Sequence, residues 1–265
     1  MSHFTRPVVG LHDFMNSRPL LHPIRHGLLE VPFRLVTATP AALAGMFAAG
    51  ELDIALIPSI EYARIPDAVI IPSVCIASLG KVETVLLFSD MAMEDIESVA
   101  VDPKSRTSVA MLQIIFRERF GKDVTIVKGI EADPEMLLKD ADAGLVIGDS
   151  AAMVKREAHV VWDMGELWYQ YSGRPFVHAA LCGHRGQRWD AAMKALEEIK
   201  RLGMEHRELI ARQEGKNPEE TRTILEYLTS RIFYDLGENE LDGMRFFLEE
   251  AKKMGLCQRD ELEFI

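Results

Sequence analysis

The chain has 265 residues, 48% of them hydrophobic and 27% charged, and 30 Lys and Arg against 41 Asp and Glu leave a formal net charge of −11. A chain of this length buries roughly 70–75% of its unfolded surface and suffices for one domain or two. With an acidic balance, no Lys/Arg-rich run and no uninterrupted apolar run of about 18 residues, it suits neither nucleic acid nor membrane as a partner.

The N-terminus, MSHFTRPVVG, has no long apolar segment between a basic start and a small-residue cleavage site, so a cytoplasmic location is expected. Short apolar runs follow at 7–14, 33–39, 53–59, 68–78, 82–89, 98–102, 124–129, 143–149, 160–165 and 176–183. They alternate with helical patterns, which predicts an α/β protein with mainly parallel strands. The clearest helix covers 105–120, where Val109, Leu112, Phe116 and Phe120 share one face at spacings of three and four.

From about residue 188 the pattern is helical only, over 189–213, 217–237 and 239–255. The second of these opens on Asn217 as cap, Pro218 at the first helical position and Glu220 three residues after the cap. Leu241, Met244, Leu248 and Ala251 line one face of the third. These helices are expected to pack and cover the protein, with no catalytic role.

Cys75, Cys182 and Cys257 are far apart, odd in number and without a CxxC, and read as buried free thiols. The eight His residues show no ligand spacing, and His22 with His26 reads as one helix surface; no metal is expected. No Gly/Ser linker marks a domain boundary. Instead, the segments 82–89 and 176–183 bracket a block with its own strands and helices. This predicts a lobe of 86–179 inserted into a first lobe of 1–85 plus 180–265, with the ligand cleft between them.

Ligands of open parallel sheets bind outside the carboxyl ends of strands, where helices aim free N–H groups. Four strand-to-helix turns carry suitable side chains: Asn16, Ser17 and Arg18; Ser59, Glu61 and Tyr62; Ser105, Arg106, Thr107 and Ser108; and Gly148, Asp149 and Ser150. Ser78 with Gly80, in CIASLGKV, is a fifth candidate. Asn and Ser at such places are also ordinary helix caps. SRTS either holds a carboxylate on hydroxyls and backbone N–H groups, with Arg106 as a charged partner, or is a plain cap by Ser105. Asp149 reads as a loop-orienting group or a base. Trp168, Tyr169 and Tyr171 read as core, or one of them as a wall for a ring-shaped substrate.

NSRPL, DIALIPSIEYAR, SVCIAS-G-V, the LFS of VETVLLFS, SVAVD-SRTSV, LVIGDSA, and DMGELW followed by G-P-F together resemble the chorismate dehydratase family of the futalosine route to menaquinone. The match runs in order from about residue 8 to 183. The resemblance implies a two-lobed type 2 periplasmic-binding-protein-like fold with a helical C-terminal segment. It also implies the loss of water from chorismate to give 3-[(1-carboxyvinyl)oxy]benzoate, without a cofactor. By the family pattern Asn16 and Ser78 stand at the reacting substrate, and Thr107 and Ser108 bind a carboxylate. YSGRPF departs from the pattern by placing Arg174 where an apolar residue is expected.

Two other readings compete. A sister enzyme of the same pathway, 1,4-dihydroxy-6-naphthoate synthase, shares the fold, but its first turn looks like S-P-C-P-N-D-T where this chain has F-M-N-S-R-P-L. A non-enzymatic solute-binding protein would be expected to carry a signal peptide or a lipid-anchor Cys near its start. The sequence sets no oligomeric state.

Overall fold

A computed structural model describes residues 6–265; residues 1–5, on which the reading of the N-terminus partly rests, lie outside the described residues. Each of the ten apolar runs forms a strand, and the strands make two five-stranded sheets. The first sheet contains β1 (Val8–His12), β2 (Arg34–Ala38), β3 (Ile54–Pro58), β4 (Ala68–Ser78) and β10 (Phe176–His184), in the order β2-β1-β3-β10-β4. The second contains β5 (Val85–Ser89), β6 (Ser98–Val101), β7 (Thr125–Lys128), β8 (Ala143–Ile147) and β9 (Val160–Asp163), in the order β7-β6-β8-β5-β9. The result is a two-lobed α/β fold.

The expectation of mainly parallel strands needs correction. β1 runs parallel to β2 and β3, and β6 parallel to β7 and β8, but β10 and β5 are each antiparallel to both neighbours. The reason is topological: β5 and β10 are the strands on which the chain enters one sheet and returns to the other. Helical crossovers keep sequential strands parallel, and a chain passing between lobes has no such crossover.

The chain leaves the first sheet after Ser78, joins the second at Val85, and returns between Asp163 and Phe176. The outgoing segment is held by one carboxylate. Asp163 accepts hydrogen bonds from the backbone N–H groups of Val82 (3.1 Å) and Glu83 (2.6 Å), and it also caps the helix α6 (Met164–Ser172) through Glu166 N–H. Glu83 is the one described residue other than glycine with positive φ, at 67°. Its side chain lies between Lys81 (3.2 Å) and Arg231 (3.8 Å).

The helix predicted over 105–120 is α4 (Thr107–Phe120). Its burial is wider than the stripe suggested: Ala110, Met111, Ile114 and Ile115 are buried beside Leu112 and Phe116, whereas Val109 and Phe120 are half-buried. Contacts from α3 (Ser59–Arg64), α6 and α10 (Glu238–Lys253) surround it, so more than one face is apolar.

The helical tail contains α7 (Asp190–Glu205), α8 (Arg207–Glu214) and α9 (Pro218–Glu226) before α10. Asn217 caps α9 by accepting from Glu219 and Glu220 N–H. The expected helix over 217–237 stops early. A single wide turn at 227–231 passes into extended backbone that pairs with β4, with Phe233 N–H donating to Ala77 O at 2.8 Å and Ala77 N–H donating back at 2.9 Å. This pairing carries the tail to the end of the strand that finishes at Ser78.

Cys75, Cys182 and Cys257 are buried and unbridged. Trp168 is fully buried in a cluster with Phe176, Phe246 and Phe247, so it is core and not a substrate wall. Arg174 ties the loop before β10 to α10: its Nε bonds Asp242 at 2.7 Å and its guanidinium lies 4.5 Å from the Phe246 ring centre.

Candidate active site

A cavity open to solvent lies where the two sheets meet. One wall comes from the first sheet through His12, Phe14, Asn16, Pro58 and His178; the other comes from the second through Lys104, Arg106, Thr107, Ser108 and Gly148. Thr84 of the connecting segment lies between them. Among the described residues the lining contains no Asp or Glu, although the chain carries 41 of them.

On the first wall, β1 gives way to a single 3-10 turn, Met15–Ser17, ahead of α1 (Arg18–Arg25), whose second residue, Pro19, suits a helix start. The turn aims Asn16 into the cavity. Its carboxamide oxygen is buried with no partner among the described residues. Beside it stands the Tyr227 hydroxyl, 3.0 Å from Thr84 Oγ1. Burial pushes this phenol up, so it stays protonated. His12 ends β1, with Ser17 Oγ 2.8 Å from its Nδ1. Burial lowers His12 to about 4, which keeps the ring neutral at pH 7. His178 likewise lines the cavity, is lowered to about 4 by burial, and lies 2.8 Å through Nε2 from Ser78 Oγ.

The second wall is the turn between β6 and α4. Thr107 and Ser108 open the helix, and Thr107 Oγ1 accepts a 3.3 Å bond from Ile60 N–H of the other lobe, which leaves its own proton free to donate. Arg106 donates to Ser105 O at 3.2 Å and lies 4.0 Å from Glu61 Oε1. Lys104 Nζ sits 6.0 Å from the Phe14 ring centre and has no ion-pair partner among the described residues. Under this turn lies Asp102, fully buried, with one oxygen accepting from Lys104 N–H at 2.9 Å and the other unpaired among the described residues. Burial raises its carboxyl above the usual range.

The lobes also touch at the cavity mouth. Met15 N–H donates to Asp149 Oδ1 at 3.3 Å. Phe14 lies over Gly148, where φ is +59° and a Cβ would come 3.1 Å from the ring, so this glycine answers both to its backbone and to the close approach.

Of the residues singled out in the sequence, Asn16, Arg106, Thr107, Ser108 and Gly148 line one cavity. The others stand elsewhere. Ser17 is turned to His12, and Arg18 pairs with Asp13 and with Glu214 at 2.9 Å. Ser59 is fully buried and donates to Val177 O at 2.6 Å. Tyr62 corrects the expectation of a substrate contact: its ring is fully buried, its hydroxyl donates to Glu261 O at 2.9 Å and accepts from Glu263 N–H at 2.8 Å, and Arg259 covers the ring. Ser105 is buried and neither lines the cavity nor caps α4, whose cap residue, Arg106, makes no side-chain cap bond. Ser78 lies behind the lining, reaching it through His178, and Asp149 sits at the rim.

Sequence reasoning missed His12, Lys104, His178 and Thr84, and it assigned no site role to the tail that supplies Tyr227 and Ile232. The signal for the first two was present: each is a polar residue within two or three positions of a strand's carboxyl end. His178 sits inside an apolar strand and carried no such mark.

A family model described as menaquinone biosynthesis matches residues 7–253. A chorismate dehydratase of Thermus thermophilus is 30% identical over 264 residues, covering 91% of this chain and 94% of that protein. Among solved structures, a protein of Archaeoglobus fulgidus superposes with a TM-score of 0.73 at 15% identity, covering 96% of this chain and 99% of that one. The alkanesulfonate-binding protein SsuA of Xanthomonas axonopodis pv. citri, bound to MOPS, gives 0.67 at 13% identity, covering 99% and 97%. At these identities the structures establish the periplasmic-binding-protein-like fold alone. The chain belongs to the menaquinone biosynthesis family and, within it, to the chorismate dehydratases.

Proposed function

We propose that this chain is a lyase that removes water from chorismate to give 3-[(1-carboxyvinyl)oxy]benzoate. The observation that carries the reading is the lining of the cavity: hydroxyls, a carboxamide, two imidazoles and two cations, with no carboxylate, in a protein whose net charge is −11. Such a lining suits a small dianion, because local donors and cations overcome the overall field. The Thermus thermophilus relative is a chorismate dehydratase by name, which fits.

Loss of the ring proton beside the ether, together with the neighbouring hydroxyl, makes the ring aromatic. Aromatisation drives the step, so the protein has mainly to orient the substrate and stabilise developing charge. With no Asp or Glu among the described residues of the lining, we assign proton removal to the substrate's own side-chain carboxylate. Asn16 holds the reactive conformer and helps the hydroxyl to depart. Thr107 and Ser108, at the N-terminus of α4, take a carboxylate, with Lys104 and Arg106 adding charge. The reaction class also supports a cytoplasmic location.

Incubating the pure protein with chorismate and following absorbance and mass tests this. The expected result is an aromatic product lighter by one water. Unchanged chorismate would mark a binding protein, and turnover of only a futalosine-derived substrate would mark the sister enzyme. Full turnover by Asn16→Ala, with loss in folded Asp149→Asn or Glu61→Gln, would overturn the residue roles.

A further inference from the structure

β10 is irregular where it meets the cavity. Its register against β4 pairs Val177 with Ala77 and then Ala179 with Ile76, leaving His178 as the extra residue of a bulge. In a regular strand adjacent side chains point to opposite faces. Here both His178 and Ala179 line the cavity. Bulges re-aim side chains in this way and recur beside active sites.

The turned ring has one nitrogen occupied. His178 Nε2 lies 2.8 Å from Ser78 Oγ, while Nδ1 has no partner among the described residues. Ser78 itself is 1% exposed and is absent from the lining. The resemblance placed Ser78 at the reacting substrate; here the imidazole faces the cavity and the serine stands behind it. A dianion needs donors, which requires the proton on Nδ1 and leaves Nε2 to accept from the serine hydroxyl.

We propose that His178 is the substrate-contacting member of this pair, donating from Nδ1–H to an oxygen of the bound dianion, and that Ser78 is a positioning residue that fixes its ring and tautomer. The proposal rests on the assigned dehydratase reading, because the dianion is what calls for the proton on Nδ1; the NMR measurement of the tautomer needs no turnover. The uncharged ring adds a donor without the desolvation cost of another buried cation.

Two measurements test it on the full chain. In long-range 1H–15N NMR spectra at pH 7, the His178 ring should carry its proton on Nδ1, and Ser78→Ala should turn that single tautomer into a mixture. A proton on Nε2 would overturn the proposal, whether or not chorismate is turned over. In kinetics with chorismate, His178→Phe should lower kcat by about a hundredfold, the scale of a misplaced contact. His178→Asn, whose amide nitrogen falls near Nδ1, should recover most of that loss. Adding Ser78→Ala to His178→Phe should cost less than about twofold more, because the serine acts through the ring. If the two losses multiply, Ser78 touches the substrate itself and the proposal fails. A wild-type protein that leaves chorismate unchanged sinks the dehydratase reading, and the NMR result then decides the ring's role alone.

Discussion

The two walls of the cleft solve different problems with different chemistry. The first-sheet wall is made of uncharged groups held by neighbours: His12 by Ser17, His178 by Ser78, and Asn16 beside the phenol of Tyr227. The second-sheet wall is a helix start with cations, Lys104 and Arg106 beside Thr107 and Ser108. Groups locked by hydrogen bonds fix a conformation, whereas charges on long side chains capture an anion without specifying its pose. The difference assigns chemistry to the first wall and retention to the second.

The sharpest way to break this division is to truncate the residue at the centre of the first wall. Asn16→Ala should lower kcat by about a thousandfold, the upper range for losing a donor to developing charge, with KM within about threefold. A change mainly in KM would move Asn16 to the retaining side.

Acid should strike the first wall before the second. The folded-state values of His12 and His178 are lowered to about 4 from an ordinary 6.5, so the unfolded chain binds more protons between those values. Their contribution to stability is complete above about pH 6.5 and is lost as pH falls toward 4, costing about 2–3 kcal/mol for each ring by pH 4.5. Urea unfolding at pH 7 and 4.5 measures this, and His178→Asn should lose less stability over the interval than the natural chain.

On the second wall, Lys104→Ala should raise KM about tenfold, equivalent to about 1.4 kcal/mol, with kcat within about twofold. The remaining binding should depend less on salt. Asp149→Asn weakens a single exposed bond between the lobes and should change stability by no more than about 1 kcal/mol and kcat/KM by a few-fold. A complete loss of turnover in a folded Asp149→Asn protein would make this residue a base and erase the distinction between walls.

The same contrast separates what was legible in the sequence from what was not. Ten apolar runs announced ten strands because strand burial is written in local composition. SRTS and NSRPL announced turns because caps and helix starts have preferred residues. Which side chain of a turn faces inward is decided by contacts distant in sequence. Tyr62 left the cavity because the tail at Glu261 and Glu263 claims its hydroxyl, and Ser59 because Val177 O does. His178 entered through a bulge that no residue pattern marks. The tail reached the site because the chain after residue 231 pairs with β4, where helical periodicity suggested only cover.

The division between walls is tested most directly by calorimetric binding of 3-[(1-carboxyvinyl)oxy]benzoate, a dianion that no longer reacts, to Asn16→Ala and Lys104→Ala. The account predicts that the asparagine variant binds within about threefold of the natural chain while the lysine variant binds about tenfold more weakly. Weak binding by the asparagine variant together with undiminished binding by the lysine variant would contradict it.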